Sequence, residues 1–317
     1  MKRVISIVVS LIILIIIYRQ IDLEGLRQVF QQCDRLWMVV SLGMVVPLTL
    51  ITSWRLQQLM PHGTSLSFGE ANRLILAASV LNMVLPSKMG DVAKAYFMRD
   101  RGHLNGSLAL SLVVFEKTCD LLSLLLWCVF GLMLYPQKDW LFWGMTLAVT
   151  LGLVMGVLLL SSRAIAHLFF ITLGNVLPKP IRLKLVKLSH SWDEMHDYFW
   201  SDQRQLFKIA GTSIFIWFLH LLQIWFFILA LNAYTPFLAN LALSPLAILA
   251  GLLPLTFAGV GTRDAALIVF YQSYFTAPTA AALGLLCTSR YLLPAIGGLP
   301  FLSQYLALVR SSRNSST

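Results

Sequence analysis

Residues 251–267 read GLLPLTFAGVGTRDAAL. Pro254, Gly259 and Gly261 interrupt an apolar tract in which Arg263 and Asp264 are the only Asp, Glu, Lys or Arg residues between positions 209 and 289. Proline removes a backbone donor and ends a helix, and glycine permits the turn that follows. A charged side chain in hydrocarbon costs at least ~2–3 kcal/mol unless it is paired or hydrated. The stretch therefore reads as helix, break, helix inside a membrane, with the charges turned toward protein or water. Residues 85–102, LPSKMGDVAKAYFMRDRG, repeat the order with Pro86, Gly90 and then Asp91 opening a helix. The two apolar stretches, at about 69–100 and 241–275, have halves of roughly 10 to 17 residues, short of the ~20 that span a bilayer. Each is expected to be a re-entrant hairpin, with two short spans as the alternative.

The rest of the chain agrees with a membrane setting. Of 317 residues 58% are hydrophobic and 12% charged, about half the charged share of a soluble domain, and mean hydropathy is +0.76. The apolar runs lack the period-2 alternation of a barrel strand, so the spans are helices. Plain runs lie at about 4–18, 36–54, 106–134, 141–160, 207–231 and 278–308. The last contains Pro294 and Gly297-Gly298, which either kink one helix or divide it. The expected fold is an all-α polytopic membrane protein of six to eight spanning helices plus two re-entrant hairpins. It forms a single membrane domain over 1–317, with repeat halves at 55–160 and 207–310 joined by a connector at 161–206.

The formal net charge of +10 does not point to nucleic acid, because most basic residues border apolar spans. Orientation explains them. The asymmetry puts both termini, loop 55–105 and loop 161–206 in the cytoplasm, and Arg19, Arg27, Arg35 and Lys138 outside. Met1-Lys2-Arg3 and the apolar run after it have no small-residue cleavage site following, which favours an uncleaved first helix in a bacterial inner membrane. In this topology the first hairpin enters from the cytoplasm and the second from outside, the arrangement of an inverted repeat with its site at the midplane. Within 181–200, apolar residues at 181, 185, 188, 192, 195 and 199 form a helical stripe, expected to lie on the membrane surface.

The candidate binding residues are the charges of these elements. Lys88, Asp91 and Lys94 belong to the first hairpin, Arg263 and Asp264 to the second, Glu116 and Asp120 to the helix after the first, and Arg290 to the last helix. Glu116 and Asp120 share one helical face at i and i+4, and one of them is expected to pair with Arg290. A glycine-rich turn before a helix N-terminus suits phosphate. The four cysteines and scattered histidines show no metal spacing, so neither metal nor cofactor is expected. No nucleophile elbow or Walker motif occurs, which argues against hydrolysis and ATP-driven pumping.

These blocks, together with FEKTCD at 115–120 and Arg290 followed by Gly297-Gly298, resemble the transmembrane region of lysylphosphatidylglycerol synthase/flippase proteins and their stand-alone relatives. The resemblance runs through the whole chain in order. Asp91, Asp264 and Lys94 stand where that pattern commonly has glutamate, glutamate and arginine. The soluble aminoacyl-transfer domain of the synthase is missing, so the resemblance implies lipid translocation or binding without lysine transfer. The expected activity is non-enzymatic, flippase-like movement of an anionic lipid (a phospholipid, glycolipid or polyprenyl phosphate) by alternating access. The alternatives are a membrane-embedded lipid-phosphate transferase or phosphatase, and a non-catalytic partner of a lipid glycosyltransferase. The expected partners are thus an anionic lipid and a lipid-modifying enzyme, with a homo-oligomer compatible and nucleic acid not expected.

Overall fold

The computed structural model describes residues 23–61, 66–84, 90–101, 104–135, 138–176, 179–252 and 261–314. These residues are helical with no strand among them. A short α1 (Leu23–Gln31) precedes α2 (Arg35–Gly43) and α3 (Val45–Leu59), which follow each other end to end. Next come α4 (Phe68–Val84), α5 (Gly90–Arg101), α6 (Gly106–Leu134) and α7 (Trp140–Ser161). The connector supplies α8 (Arg163–Val176) and α9 (Lys179–Ser201), and the second half is α10 (Gln203–Ala230), α11 (Phe237–Gly251), α12 (Thr262–Tyr271) and α13 (Ala277–Asn314). Several helices start where the sequence provides an acceptor for the unpaired first-turn amides. Asp34, Asp139 and Asp202 accept from the backbone of Trp37, Phe142 and Gln205.

Among the described residues, five helical segments are long and apolar enough to cross a membrane: Arg35–Leu59, Gly106–Leu134, Trp140–Ser161, Gln203–Ala230 and Ala277–Leu302. The chain is a multi-pass membrane protein. The first apolar run, 4–18, lies outside the described residues. The last run is one helix that continues through Pro294 and Pro300. The run read at 36–54 extends to Leu59, which carries Arg55 into the helical body instead of a loop. Outer surfaces are apolar, as lipid requires: on α7, Trp140, Trp143, Leu147 and Leu151 are all exposed.

Each broken stretch contributes two helices, α4 with α5 and α11 with α12, and the members of each pair pack against each other. The breaks at Pro86, Pro254 and Gly259 fall outside the described residues, whereas Gly90 begins α5 and Gly261 immediately precedes α12 as its N-cap. Gly90 sits so close to α4 that a Cβ there would lie 2.3 Å from the carbonyl oxygen of Ala78. Gly261 has φ 101°, a conformation open to glycine and strained for other residues. Its amide donates to Asp264 Oδ2 at 3.0 Å, which closes the turn onto the first turn of α12.

The first helix of each broken stretch packs on a long helix from the other part of the chain. The first helix of the first hairpin, α4, packs along the last helix, α13, and the first helix of the second, α11, packs along α6. Each crossing is made at a glycine. A Cβ on Gly298 would lie 2.1 Å from the Leu76 carbonyl oxygen, and one on Gly131 would lie 2.2 Å from that of Ala242. Two apolar cores result, one around α4, α5, α8 and α9 and one around α10, α11, α12 and α13, and α6 contributes to both.

The connector departs from the surface-helix expectation. Leu188, Trp192, Met195 and Phe199 of the α9 stripe are buried within the protein. Phe199 stacks on Phe115 of α6 with ring centroids 4.3 Å apart, and Trp192 donates to the Leu159 carbonyl at 3.3 Å. The stripe is spent on the protein's own core because α6 and α8 present matching apolar faces, a tertiary fact that helical periodicity does not carry.

Candidate functional site

Between the hairpins lies a cavity of about 490 Å³, lined from α3 (Thr49, Thr52, Arg55), α4 (Ser79, Asn82), α5 (Asp91, Lys94), α6 (Glu116, Lys117, Asp120), α10 (Trp217, His220, Gln223), α12 (Arg263) and α13 (Thr288, Arg290, Tyr291), with apolar side chains between. Both hairpins therefore face one space. Of the sequence-derived candidates, Asp91, Lys94, Glu116, Asp120, Arg263 and Arg290 line it. Asp264 stands behind Arg263, and Lys88 lies outside the described residues.

Arg55 organises one wall. Its guanidinium donates to Glu116 Oε1 at 2.7 Å, to both carboxylate oxygens of Asp120 (3.2 Å to Oδ2), and to Ser213 Oγ at 2.8 Å. Lys94 Nζ donates to the other oxygen of Glu116. Arg55, Lys94 and Glu116 are each no more than 2% exposed, so this buried pairing ties α3, α5 and α6 together. Lys117 continues the chain at the cavity edge, 3.4 Å from Asp91 Oδ2 and 3.5 Å from Asp120 Oδ2, and is 44% exposed. The i, i+4 spacing of Glu116 and Asp120 thus serves to present two carboxylates to one arginine. Sequence reasoning placed Arg55 in a loop, because it directly follows an apolar run and precedes polar residues. The signal that could have found it is charge matching: two carboxylates on one face of an apolar helix require a buried cation.

The second hairpin is held differently. Arg263 donates through Nε (3.0 Å) and Nη2 (2.7 Å) to Asp264 Oδ1, and Nη2 also reaches Gly284 O at 2.9 Å and Thr288 Oγ1 at 2.7 Å on α13. In place, Arg263 resembles Lys94: each lies near the start of its hairpin's second helix and reaches the spanning helix that follows. Lys94 meets a carboxylate there, whereas Arg263 meets neutral acceptors and takes its carboxylate from its sequence neighbour.

Arg290 overturns one expectation. It pairs with neither Glu116 nor Asp120, since Arg55, Lys94 and Lys117 take both carboxylates. It is 4% exposed. One Nη2 hydrogen bond goes to Tyr291 Oη at 2.9 Å, and its Cζ lies 4.9 Å from the centroid of that ring. Nε and Nη1 have no acceptor. Two neutral acceptors on the cavity wall are likewise unused, Gln223 Oε1 and Asn82 Oδ1; the amide nitrogen of Gln223 is engaged with Ser41 O at 2.9 Å. Arg55 Nε on the same wall also has no acceptor. Buried polar groups are ordinarily satisfied, so these atoms are hydrogen-bonding positions that the described residues leave unfilled.

Comparison with known proteins agrees with this architecture. Over 94% of its length the chain is 22% identical to a UPF0104 membrane protein of Methanocaldococcus jannaschii, covering 93% of that protein. Residues 3–298 match the model of the lysylphosphatidylglycerol synthase TM region. That match spans both hairpins, the cavity and every sequence-derived charge around it, and the chain belongs to the lysylphosphatidylglycerol synthase transmembrane-region family.

Proposed function

We propose that the chain is a flippase-like carrier of an anionic lipid, with the headgroup held in the cavity between the hairpins. The observation that carries this reading is Arg290. Among the described residues, five cationic side chains line the cavity (Arg55, Lys94, Lys117, Arg263 and Arg290) against three carboxylates, and Asp264 behind Arg263 is a fourth. Four of the cations are paired, and Arg290 is left with two N–H groups and no acceptor. Leaving a buried cation unpaired is costly, and an anionic group from outside the chain removes that cost. Family membership supports a lipid as its source.

In this proposal α4–α5 and α11–α12 are re-entrant hairpins of an inverted repeat, and the supporting pattern is the reciprocal packing of α4 on α13 and α11 on α6. Alternating access then opens the cavity to one leaflet at a time. Both termini face the cytoplasm, and the protein moves lipid without breaking a covalent bond.

The test is reconstitution in liposomes with acyl-chain-labelled phosphatidylglycerol or phosphatidylcholine, with dithionite quenching as the readout, with and without a proton gradient. The account expects faster exchange of phosphatidylglycerol than of phosphatidylcholine. It expects about a tenfold loss of that rate in Arg290→Gln, the scale of one charge-assisted hydrogen bond. Rates equal to protein-free liposomes in both conditions, or no preference for the anionic lipid, would overturn it.

A further inference from the structure

Resting on that reading, we infer that the headgroup recognised here is a phosphodiester bearing hydroxyls, and that the cavity excludes headgroups bearing an ammonium. The argument concerns which polar groups remain unused. Among the described residues lining the cavity, the free guanidinium donors are Nε of Arg55 and Nε and Nη1 of Arg290; the two on Arg290 lie on different edges of its guanidinium, so each offers a separate charge-assisted hydrogen bond to an anionic oxygen. The free acceptors are Gln223 Oε1 and Asn82 Oδ1, both neutral carbonyl oxygens.

An ammonium headgroup would need a carboxylate. The four described at the cavity are all committed: Glu116 to Arg55 and Lys94, Asp120 to Arg55 and Lys117, Asp91 to Lys117, and Asp264 to Arg263. An incoming ammonium would meet an excess of positive charge and no free counter-charge. Hydroxyls suit the site better, because each can donate to one of the two unused carbonyl oxygens while the phosphate engages Arg290. The selectivity assigned here is opposite to that of a carrier for lysine-bearing lipid, although the fold is shared.

The experiment measures lipid affinity of the purified full-length chain in detergent by native mass spectrometry, with thermal stabilisation alongside. The lipids have matched acyl chains: phosphatidylglycerol, phosphatidylinositol, phosphatidylethanol, phosphatidylethanolamine, lysylphosphatidylglycerol and phosphatidylcholine. Phosphatidylethanol is the decisive control, being an anionic phosphodiester whose headgroup has no hydroxyl. Phosphatidylglycerol and phosphatidylinositol should bind at least about fivefold more tightly than phosphatidylethanol, the discrimination expected when buried acceptors are left unpaired. Both ammonium-bearing lipids should bind no better than phosphatidylcholine.

Gln223→Leu should abolish the preference for phosphatidylglycerol over phosphatidylethanol while keeping phosphatidylethanol binding, whereas Arg290→Gln should weaken both. The wild-type panel decides the matter even where a variant fails to fold. Equal affinity for phosphatidylglycerol and phosphatidylethanol overturns the hydroxyl assignment and leaves the anionic-lipid reading standing, as does tight binding of lysylphosphatidylglycerol for the ammonium exclusion. Failure of every anionic lipid to exceed phosphatidylcholine refutes the reading beneath it. Soluble glycerol 3-phosphate separates the sources of the same chemistry: stabilisation by it without stabilisation by phosphatidylglycerol overturns a lipid as the ligand.

Discussion

Arg55 and Arg290 are both buried arginines, 2% and 4% exposed, and their surroundings give them opposite roles. Arg55 meets two carboxylates and a serine hydroxyl, so removing it strands Glu116 and Asp120 with less counter-charge. Arg55→Met is expected to destabilise the protein by about 3 kcal/mol, the usual cost of breaking a buried pair from one side, read as thermal unfolding in detergent. Lys117 bridges Asp91 and Asp120 at 44% exposure, where water screens the pair. Lys117→Met should cost less than ~1 kcal/mol. Arg290→Gln should leave stability unchanged or raise it, because no carboxylate loses its partner. A loss at Arg290 as large as that at Arg55 would mean that Arg290 holds the fold instead of a ligand.

The same residues show how far sequence reaches. Glu116, Asp120, Arg263 and Arg290 could be picked out because each is a charge in an apolar run, a property of one position and its neighbours. Which cation takes which carboxylate could not be read. Arg55 lies 61 positions before Glu116, and only the packing of α3 on its neighbours brings them together. Arg290 was the wrong partner because two nearer cations satisfy Glu116 first.

At the scale of elements, the helices flanking the interruptions were legible because proline and glycine act locally: helices end at Val84 and Gly251 and begin again at Gly90 and Thr262, while Pro86, Pro254 and Gly259 themselves lie outside the described residues. The docking of α9 was not legible. Its stripe at 3.6-residue spacing says that one face is buried and leaves open whether lipid or protein covers it. The glycine crossings make a sharper claim about elements. Gly131 and Gly298 are pressed against backbone, whereas Gly144 on α7 has open space where a side chain would go. Gly298→Val and Gly131→Val should each separate the packed helices, costing at least ~2–3 kcal/mol and lowering the yield of monodisperse protein. Gly144→Val should behave as wild type. Equal tolerance at all three positions would show that α4 does not lie against α13, nor α11 against α6, as described.

For the whole molecule, α4 packed on α13 and α11 packed on α6 enclose one cavity, and among the described residues the charges around it balance except at Arg290. The arrangement accounts for four intramembrane-type cations by internal pairing and assigns the fifth to an outside anion. Its most direct test is cross-linking with a phosphatidylglycerol analogue that carries a diazirine on the headgroup, followed by mapping of the modified residues by mass spectrometry. The account expects adducts on cavity residues such as Thr52, Ser79 and Tyr291, competed by unlabelled phosphatidylglycerol and lost in Arg290→Gln. Adducts confined to the exposed face of α7 around Leu147, unaffected by Arg290→Gln, would contradict it.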